Sequence, residues 1–241
     1  MSESIAIDNS TLSATQTCET QAALRYVLGY DSAEDRAPLM AGTAVHAALA
    51  AWLKSGGNAA EGIRALEVDY MPWALANVLG TDDRLSFANV HRVMEYWFDV
   101  HPLSSWTVTV KPELVEVGFA VPISDEIVFV GRADGIGQDS RGAYLVIEHK
   151  SSARLDERWR RTHRLAAQIT GYTYAMQQHV NAPVLGALVN GIELSRLPNS
   201  SMKCRKHGVA YHECGQLHAR FEAFITQRTP EQHEEWKRTA L

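Results

Sequence analysis

Asp134, Glu148 and Lys150 are the residues of this chain whose types and spacing permit shared chemistry. They lie in GRADGIGQDSRGAYLVIEHK, residues 131–150. IVFVGRAD runs apolar into a polar, glycine-rich break, and AYLVIEHK runs apolar out of it. The pattern predicts two strands around a turn. Side chains two apart on a strand share a face. Tyr144, Val146, Glu148 and Lys150 therefore point one way, and Leu145, Ile147 and His149 the other. Asp134 closes the first strand and reaches the same end across the hairpin. Two carboxylates converging on one point make an oxygen site for a hard cation. A lysine beside them can orient or deprotonate water and offset charge on a phosphate.

The elements that must hold this hairpin follow from periodicity and breaks. Residues 1–10 are polar and read as loose chain. LSATQTCETQAALRYVLGYDS predicts a helix capped near Ser13 or Thr15 and ending near Gly29. MAGTAVHAALAAWLKSGG predicts a second, with Val45, Leu49 and Trp52 as an apolar stripe and His46 at its edge. A lone histidine beside such a stripe is more often a packed core residue than a ligand. Two more helices fill 58–80 and 83–100, the latter with Val93, Tyr96 and Trp97 inward. TVTVKPELVEVGFAVPI supplies one or two strands bounded by Pro112 and Pro122. Glu116 lies on them, either turned to solvent or aimed at the site. Helical sequence follows Lys150 and carries Gln168 and Tyr172 four apart, on one face. APVLGALVNGIEL reads as a strand with HGVAYHEC as its hairpin partner, and LHARFEAFITQRTPEQHEEW as a closing helical region interrupted near Pro230.

Composition bounds what such a protein does. The chain has 241 residues, 46% apolar and 21% charged, ordinary for a globular protein. That length suits one domain, with a helical part over 11–104 and a sheet core over 105–241. MSESIAIDN is no signal peptide, and no apolar run reaches spanning length, so no membrane is expected. Three scattered cysteines suit a cytoplasmic setting. A net charge of -5 argues against a generally basic nucleic-acid binder, so any DNA contact is local. The densest basic stretch follows the hairpin: Arg154, Arg158, Arg160, Arg161 and Arg164 around Trp159. It is either a solvated helix face or a phosphate-gripping surface with an aromatic partner.

Asp134, thirteen residues, then Glu148-His149-Lys150 resembles the signature of the PD-(D/E)XK nucleases, and GRAD is similar to the G-x-x-D form of their RecB-like branch. Further positions carry the likeness in the same order. Leu12, Ser13, Thr15 and Cys18 resemble the branch's opening helix, with Glu19 where a proline is usual. Gly42 and His46 resemble its G-x-x-x-H, and Gln168 and Tyr172 its Q-x-x-x-Y. The resemblance covers roughly residues 12–225. It implies a restriction-endonuclease-like α/β fold, with a central mixed sheet flanked by helices and an N-terminal helical lobe. It implies DNA as substrate and Mg²⁺ or Mn²⁺ held by His46, Asp134, Glu148 and the His149 carbonyl. Glu116 is implied as a further contact to a second cation, and Gln168 and Tyr172 as groups that position the DNA backbone or Lys150. An exonuclease is the activity implied, in recombination, repair or phage DNA processing, with a helicase or recombinase as possible partner. A structure-specific endonuclease and an idle DNA-end-binding subunit are the alternatives. An idle copy is expected to lose one of Asp134, Glu148 or Lys150, and all three are present.

One branch of the family holds an iron–sulfur cluster on four cysteines. Here Cys18, Cys204 and Cys214 leave one thiol missing, with His207 at the position of a fourth ligand. The deficit favours three unliganded cysteines over a cluster or a zinc ion.

Overall fold

The computed structural model describes residues 4–30, 37–78, 84–195, 208–209 and 219–240. Its centre is a mixed sheet of six strands. Strands β2 (Val108–Pro122), β3 (Ile127–Asp139) and β4 (Tyr144–Ser152) run antiparallel in succession. Strand β5 (Val184–Glu193) lies parallel to β4, and β6 (Phe221–Gln227) antiparallel to β5. A short β1 (Ile5–Ile7) adds to β3 in parallel at Ile127–Phe129.

The alternation along β4 and β5 divides the core between the two faces of the sheet. Leu145, Ile147, Leu188 and Ile192 pack under a lobe made by α3 (Ala37–Lys54), α4 (Ala59–Asn77) and α5 (Phe87–Val100). An aromatic knot fixes that lobe. Trp52 meets Trp97 edge-on at 5.1 Å, and Trp106 lies 5.4 Å from Trp52. Buried aromatics bring large apolar areas, and edge-on pairs add to that burial. Val146, Ala187, Val189, Phe129 and Ala133 face the other way, against α7 (Ala167–Val180) and Trp236 of α8 (Pro230–Ala240). The expected α/β architecture with an N-terminal helical lobe is the one observed.

Four local expectations change. Ile5–Ile7 is a strand rather than loose chain, because β3 offers it an open edge. The first helix is capped by Asp8, whose carboxylate accepts from the Thr11 N–H at 2.7 Å, not by Ser13 or Thr15. Asp8 precedes the helix that begins at Asn9, and a capping side chain must stand just outside the first turn. That helix is also broken: α1 (Asn9–Thr17) ends at an extended Cys18, and α2 (Glu19–Ala22) leads into a π-turn. FEAFITQ is a strand, not helix, because β5 needs an antiparallel neighbour and these β-branched and aromatic residues fit a sheet. The partner expected for β5, HGVAYHEC, lies almost wholly outside the described residues.

Two strand glycines give a direct check on this register. A Cβ on Gly186 would stand 2.0 Å from the Thr226 carbonyl oxygen, whereas one on Gly118 meets nothing within 4 Å. Gly186→Ala is expected to cost about 1–3 kcal/mol by forcing β5 and β6 apart. Gly118→Ala is expected to stay within about 0.5 kcal/mol of the parent. Denaturant titration compares them, and equal stabilities would contradict the β5–β6 pairing.

Candidate active site

The site begins where two paired strands part. β3 and β4 hold register from Gln138↔Tyr144 to Gly135↔Ile147 and then diverge. β2 covers the other edge of β3 along most of its length, and β1 rejoins the open edge only at Ile127–Phe129. At the fork the Asp134 carboxylate stands in for the next rung: Oδ2 accepts from the His149 backbone N–H at 2.7 Å. Its Oδ1 faces His46 Nδ1 at 3.0 Å. The expected reach of Asp134 across the hairpin is thus met by a specific bond.

His46 arrives from α3. Gly42, one turn earlier, lets that helix approach the sheet: a Cβ there would lie 3.1 Å from the Ser151 hydroxyl. The G-x-x-x-H spacing therefore joins a close helix–strand contact to the histidine that faces Asp134 one turn on. On β4, Glu148 and Lys150 share a face and form an ion pair at 2.5 Å. Lys150 Nζ also donates to Gln168 Oε1 at 2.9 Å, and Gln168 bonds to Tyr172 on the same face of α7. Burial pushes the Tyr172 hydroxyl up to about 12, so it stays a neutral donor. His149 points to the opposite face of β4, its ring edge-on to His46 at 6.2 Å; burial pushes it down to about 4, and Asn190 pairs with its Nδ1 at 3.0 Å.

The charges at the fork are strongly perturbed. Burial pushes the Glu148 carboxyl up to about 7; Lys150 opposes this and Asp134 adds to it. Burial would also raise Asp134, but hydrogen bonds from His46 and His149 hold it below its ordinary value. His46 is raised in turn, because Asp134 outweighs the desolvation that would lower it. Glu116 lies between Val115 and Val117, which pair with Gly135 and Ala133, so it stands across from Asp134. Its φ of 59° is a conformation that side-chain-bearing residues rarely adopt. It pairs with Arg132 at 2.8 Å and lines the same cleft as His46 and Asp134, so it is not a solvent-facing strand charge.

The residues present fit a hard cation. Among the described residues no three acidic, histidine or cysteine side chains already converge as ligands. Asp134 is turned to His46, and Glu148 to Lys150. Yet Glu148 Oε2 is buried without a hydrogen-bond partner among the described residues. A buried carboxylate oxygen left unpaired is costly, and a cation shared with Asp134 would satisfy it.

Sequence similarity agrees with this geometry. A family model for the PD-(D/E)XK nuclease superfamily matches residues 9–241. The chain belongs to that superfamily. Fifteen chains of solved structures match it in fold. One, described as a candidate exonuclease from Eubacterium rectale, superposes with a TM-score of 0.54 at 9% identity, covering 98% of this chain and 77% of that one. A second, SSO0001, has a TM-score of 0.33 at 13% identity over 96% of this chain and 82% of that one. No curated protein matches the sequence.

The basic segment of this PD-(D/E)XK chain is less uniform than its sequence. Trp159 is 8% exposed and packs against Gly191, so its ring belongs to the core and cannot stack on a base. Arg160 is tied to Glu222 and Glu157, and the Arg164 guanidinium lies over Phe224. Arg154, Arg158 and Arg161 remain exposed, with Arg161 paired to Glu157 in the same helix, α6 (Glu157–Arg164). Cys18 is an exposed free thiol. Cys204, His207 and Cys214 lie outside the described residues.

Arg228 was not a candidate from sequence. It is buried on the β6–α8 connection and donates to Thr170 Oγ1 at 2.8 Å and to the Arg164 carbonyl at 2.9 Å. These bonds pin the start of α7, and with it Gln168. An arginine after a strand gives no signal of such a role until the α6–α7 connection is known to lie beside it.

Gly42 tests how the fork is assembled. Gly42→Val adds methyl groups where Ser151 leaves no room, so α3 must move off β4 and His46 lose Asp134. NMR titration of His46 is expected to fall from its raised midpoint to about 6.5 or below. An unchanged midpoint would mean that His46 is held without this helix contact.

Proposed function

We propose that this protein is a divalent-cation-dependent exonuclease that hydrolyses the phosphodiester bonds of DNA. The observation that carries this reading is the meeting of Asp134–His46 with Glu148–Lys150–Gln168 at the fork between β3 and β4. Asp134, Glu148, the His149 carbonyl and His46 are the groups that would hold Mg²⁺ or Mn²⁺, with Glu116 beside them. When bound, the cation polarises the phosphodiester and makes water a stronger nucleophile.

The chain's own residues supply the rest. Water adds to phosphorus as it gives up a proton, and the bond from phosphorus to the leaving nucleoside oxygen breaks as that oxygen takes up a proton from solvent. Lys150, an ammonium held between Glu148 and Gln168, offsets the charge that grows on the phosphate oxygens. Gln168 fixes the lysine, and Tyr172 fixes Gln168, so the donor is oriented before the substrate arrives. Aromatic and aliphatic packing on both sheet faces holds these groups on strands and helices rather than on mobile loops. The exonuclease assignment draws on the His46 and Gln168–Tyr172 features and on the described activity of the Eubacterium rectale protein. The roles of recombination, repair and a helicase partner rest on family resemblance alone.

Digestion of end-labelled linear and covalently closed circular DNA, with Mg²⁺ or Mn²⁺, tests the reading. Linear DNA is expected to be degraded and circles spared; cut circles would make the protein an endonuclease, and no cutting at all an end-binding module. Lys150→Ala is expected to keep the fold and Mn²⁺ binding while cleavage falls at least about a hundredfold. Asp134→Ala and Glu148→Ala should lose both. Cleavage by Lys150→Ala at the parent rate would remove the lysine from the mechanism.

The arginines separate by their pairing. Removing Arg158 and Arg161 together is expected to reduce the salt dependence of DNA binding, with the log–log slope falling by about 0.7–0.9 per lost contact. Arg160→Ala should leave the slope near the parent value, because Glu222 already neutralises that guanidinium. An equal loss for Arg160 would mean that DNA displaces Glu222.

A further inference from the structure

The cleft beside the fork is short of positive charge. It encloses about 920 Å³ and is lined by four carboxylates, those of Asp8, Asp69, Glu116 and Asp134. Its described lining holds one lysine, Lys54, and one arginine, Arg132. None of the five arginines that follow Lys150 lines it. A polyanion entering such a cleft gains where a fixed cation meets its phosphates.

Arg132 is the better placed of the two cations. Lys54 is a single flexible charge at the end of α3. Arg132 stands on β3, two residues before Asp134 and in the same cleft. Two residues along a strand span about 6–7 Å. A phosphate served by Asp134 therefore has its neighbour on the same DNA strand within an arginine's reach of Arg132. The guanidinium is held at one point only. Its Nε pairs with Glu116 Oε2 at 2.8 Å, and the side chain is 68% exposed. A planar fork pinned at Nε can offer its remaining N–H groups to phosphate oxygens in pairs.

The pin is itself unusual. Val115 packs with the helical lobe but Val117 with the α7 face, so the strand rolls over at Glu116. The φ of 59° there is the conformation that allows it, and strain of this kind collects at ligand clamps. The result is a carboxylate in the cleft, against Arg132.

We propose that Arg132, braced by Glu116, grips the backbone phosphate next to the one being cut and so sets the DNA strand in register with Asp134 and Lys150. The proposal rests on the nuclease reading above and adds to it a positioning residue outside the basic segment.

Binding and cutting are measured separately on the full chain. In EDTA, binding of a labelled linear DNA is followed against salt. Arg132→Ala is expected to flatten the log–log slope by about 0.7–0.9. Glu116→Gln and Glu116→Ala lose the same charge, but only glutamine keeps an oxygen beside the guanidinium. Glu116→Gln is expected to bind at least about threefold more tightly than Glu116→Ala, because the arginine stays ordered. With Mg²⁺, substrates carrying one uncharged methylphosphonate linkage at successive positions locate the contact. The parent is expected to cut at least about tenfold more slowly when the linkage beside the scissile one is uncharged. Arg132→Ala should be as slow on unmodified DNA and lose nothing further from that change. A merely structural role for Arg132 would not follow the position of one missing charge. The proposal is overturned by a parent that binds no DNA, by an unchanged slope in Arg132→Ala, by equal affinities of the two Glu116 variants, or by a methylphosphonate penalty that Arg132→Ala keeps in full. A parent whose binding depends on Arg132 and Glu116 in this way, but which cuts no DNA with Mg²⁺ or Mn²⁺, would sink the nuclease reading and leave the phosphate contact standing.

Discussion

The bond from the His149 N–H to the Asp134 carboxylate is the contact on which the site depends. Strands β3 and β4 are a continuous antiparallel pair up to Gly135↔Ile147, and the next rung would be main chain to main chain. A side chain takes that place instead. The ladder is closed without an orphaned amide, which would be costly in a buried position. The strands can then separate, and the space between them is where α3 brings His46 and α7 brings Gln168. A carboxylate at this position ends the strand pairing with one oxygen and faces His46 with the other.

The fork also accounts for the pattern of perturbed groups. Glu148 is 2% exposed, yet one oxygen has no partner among the described residues and the other holds a lysine. Asp134 is held ionised by His46 and His149, while Glu148 is pushed toward neutrality by the same burial. Two carboxylates in one low-dielectric place cannot both be charged cheaply without a counter-ion. Lys150 and His46 offset part of that charge, and a hard divalent cation would offset the rest. The rare backbone conformation at Glu116 brings a third carboxylate to the same cleft, where Arg132 balances it.

Much of the site was legible because its chemistry is local on the strands. The period of two placed Glu148 and Lys150 together, and the hairpin brought Asp134 to them. Helical spacing joined Gly42 to His46 and Gln168 to Tyr172, each pair one turn apart. What escaped was set by tertiary partners. FEAFITQ became a strand only because β5 had a free edge, and Ile5–Ile7 only because β3 had one. Trp159 reads as an exposed aromatic among arginines, but the amphipathic α6 turns it onto Gly191. Arg160 reads as free charge until Glu222, sixty-two residues on, is brought beside it. Arg228 had no local pattern at all.

A cation in the fork, as proposed, would link these features. Anomalous diffraction from crystals soaked in Mn²⁺ locates it directly. The account predicts one principal peak between the carboxylates of Asp134 and Glu148, on the side of His46, and its loss in Asp134→Asn. A peak elsewhere at saturating Mn²⁺, or one that persists undiminished in Asp134→Asn, would contradict it.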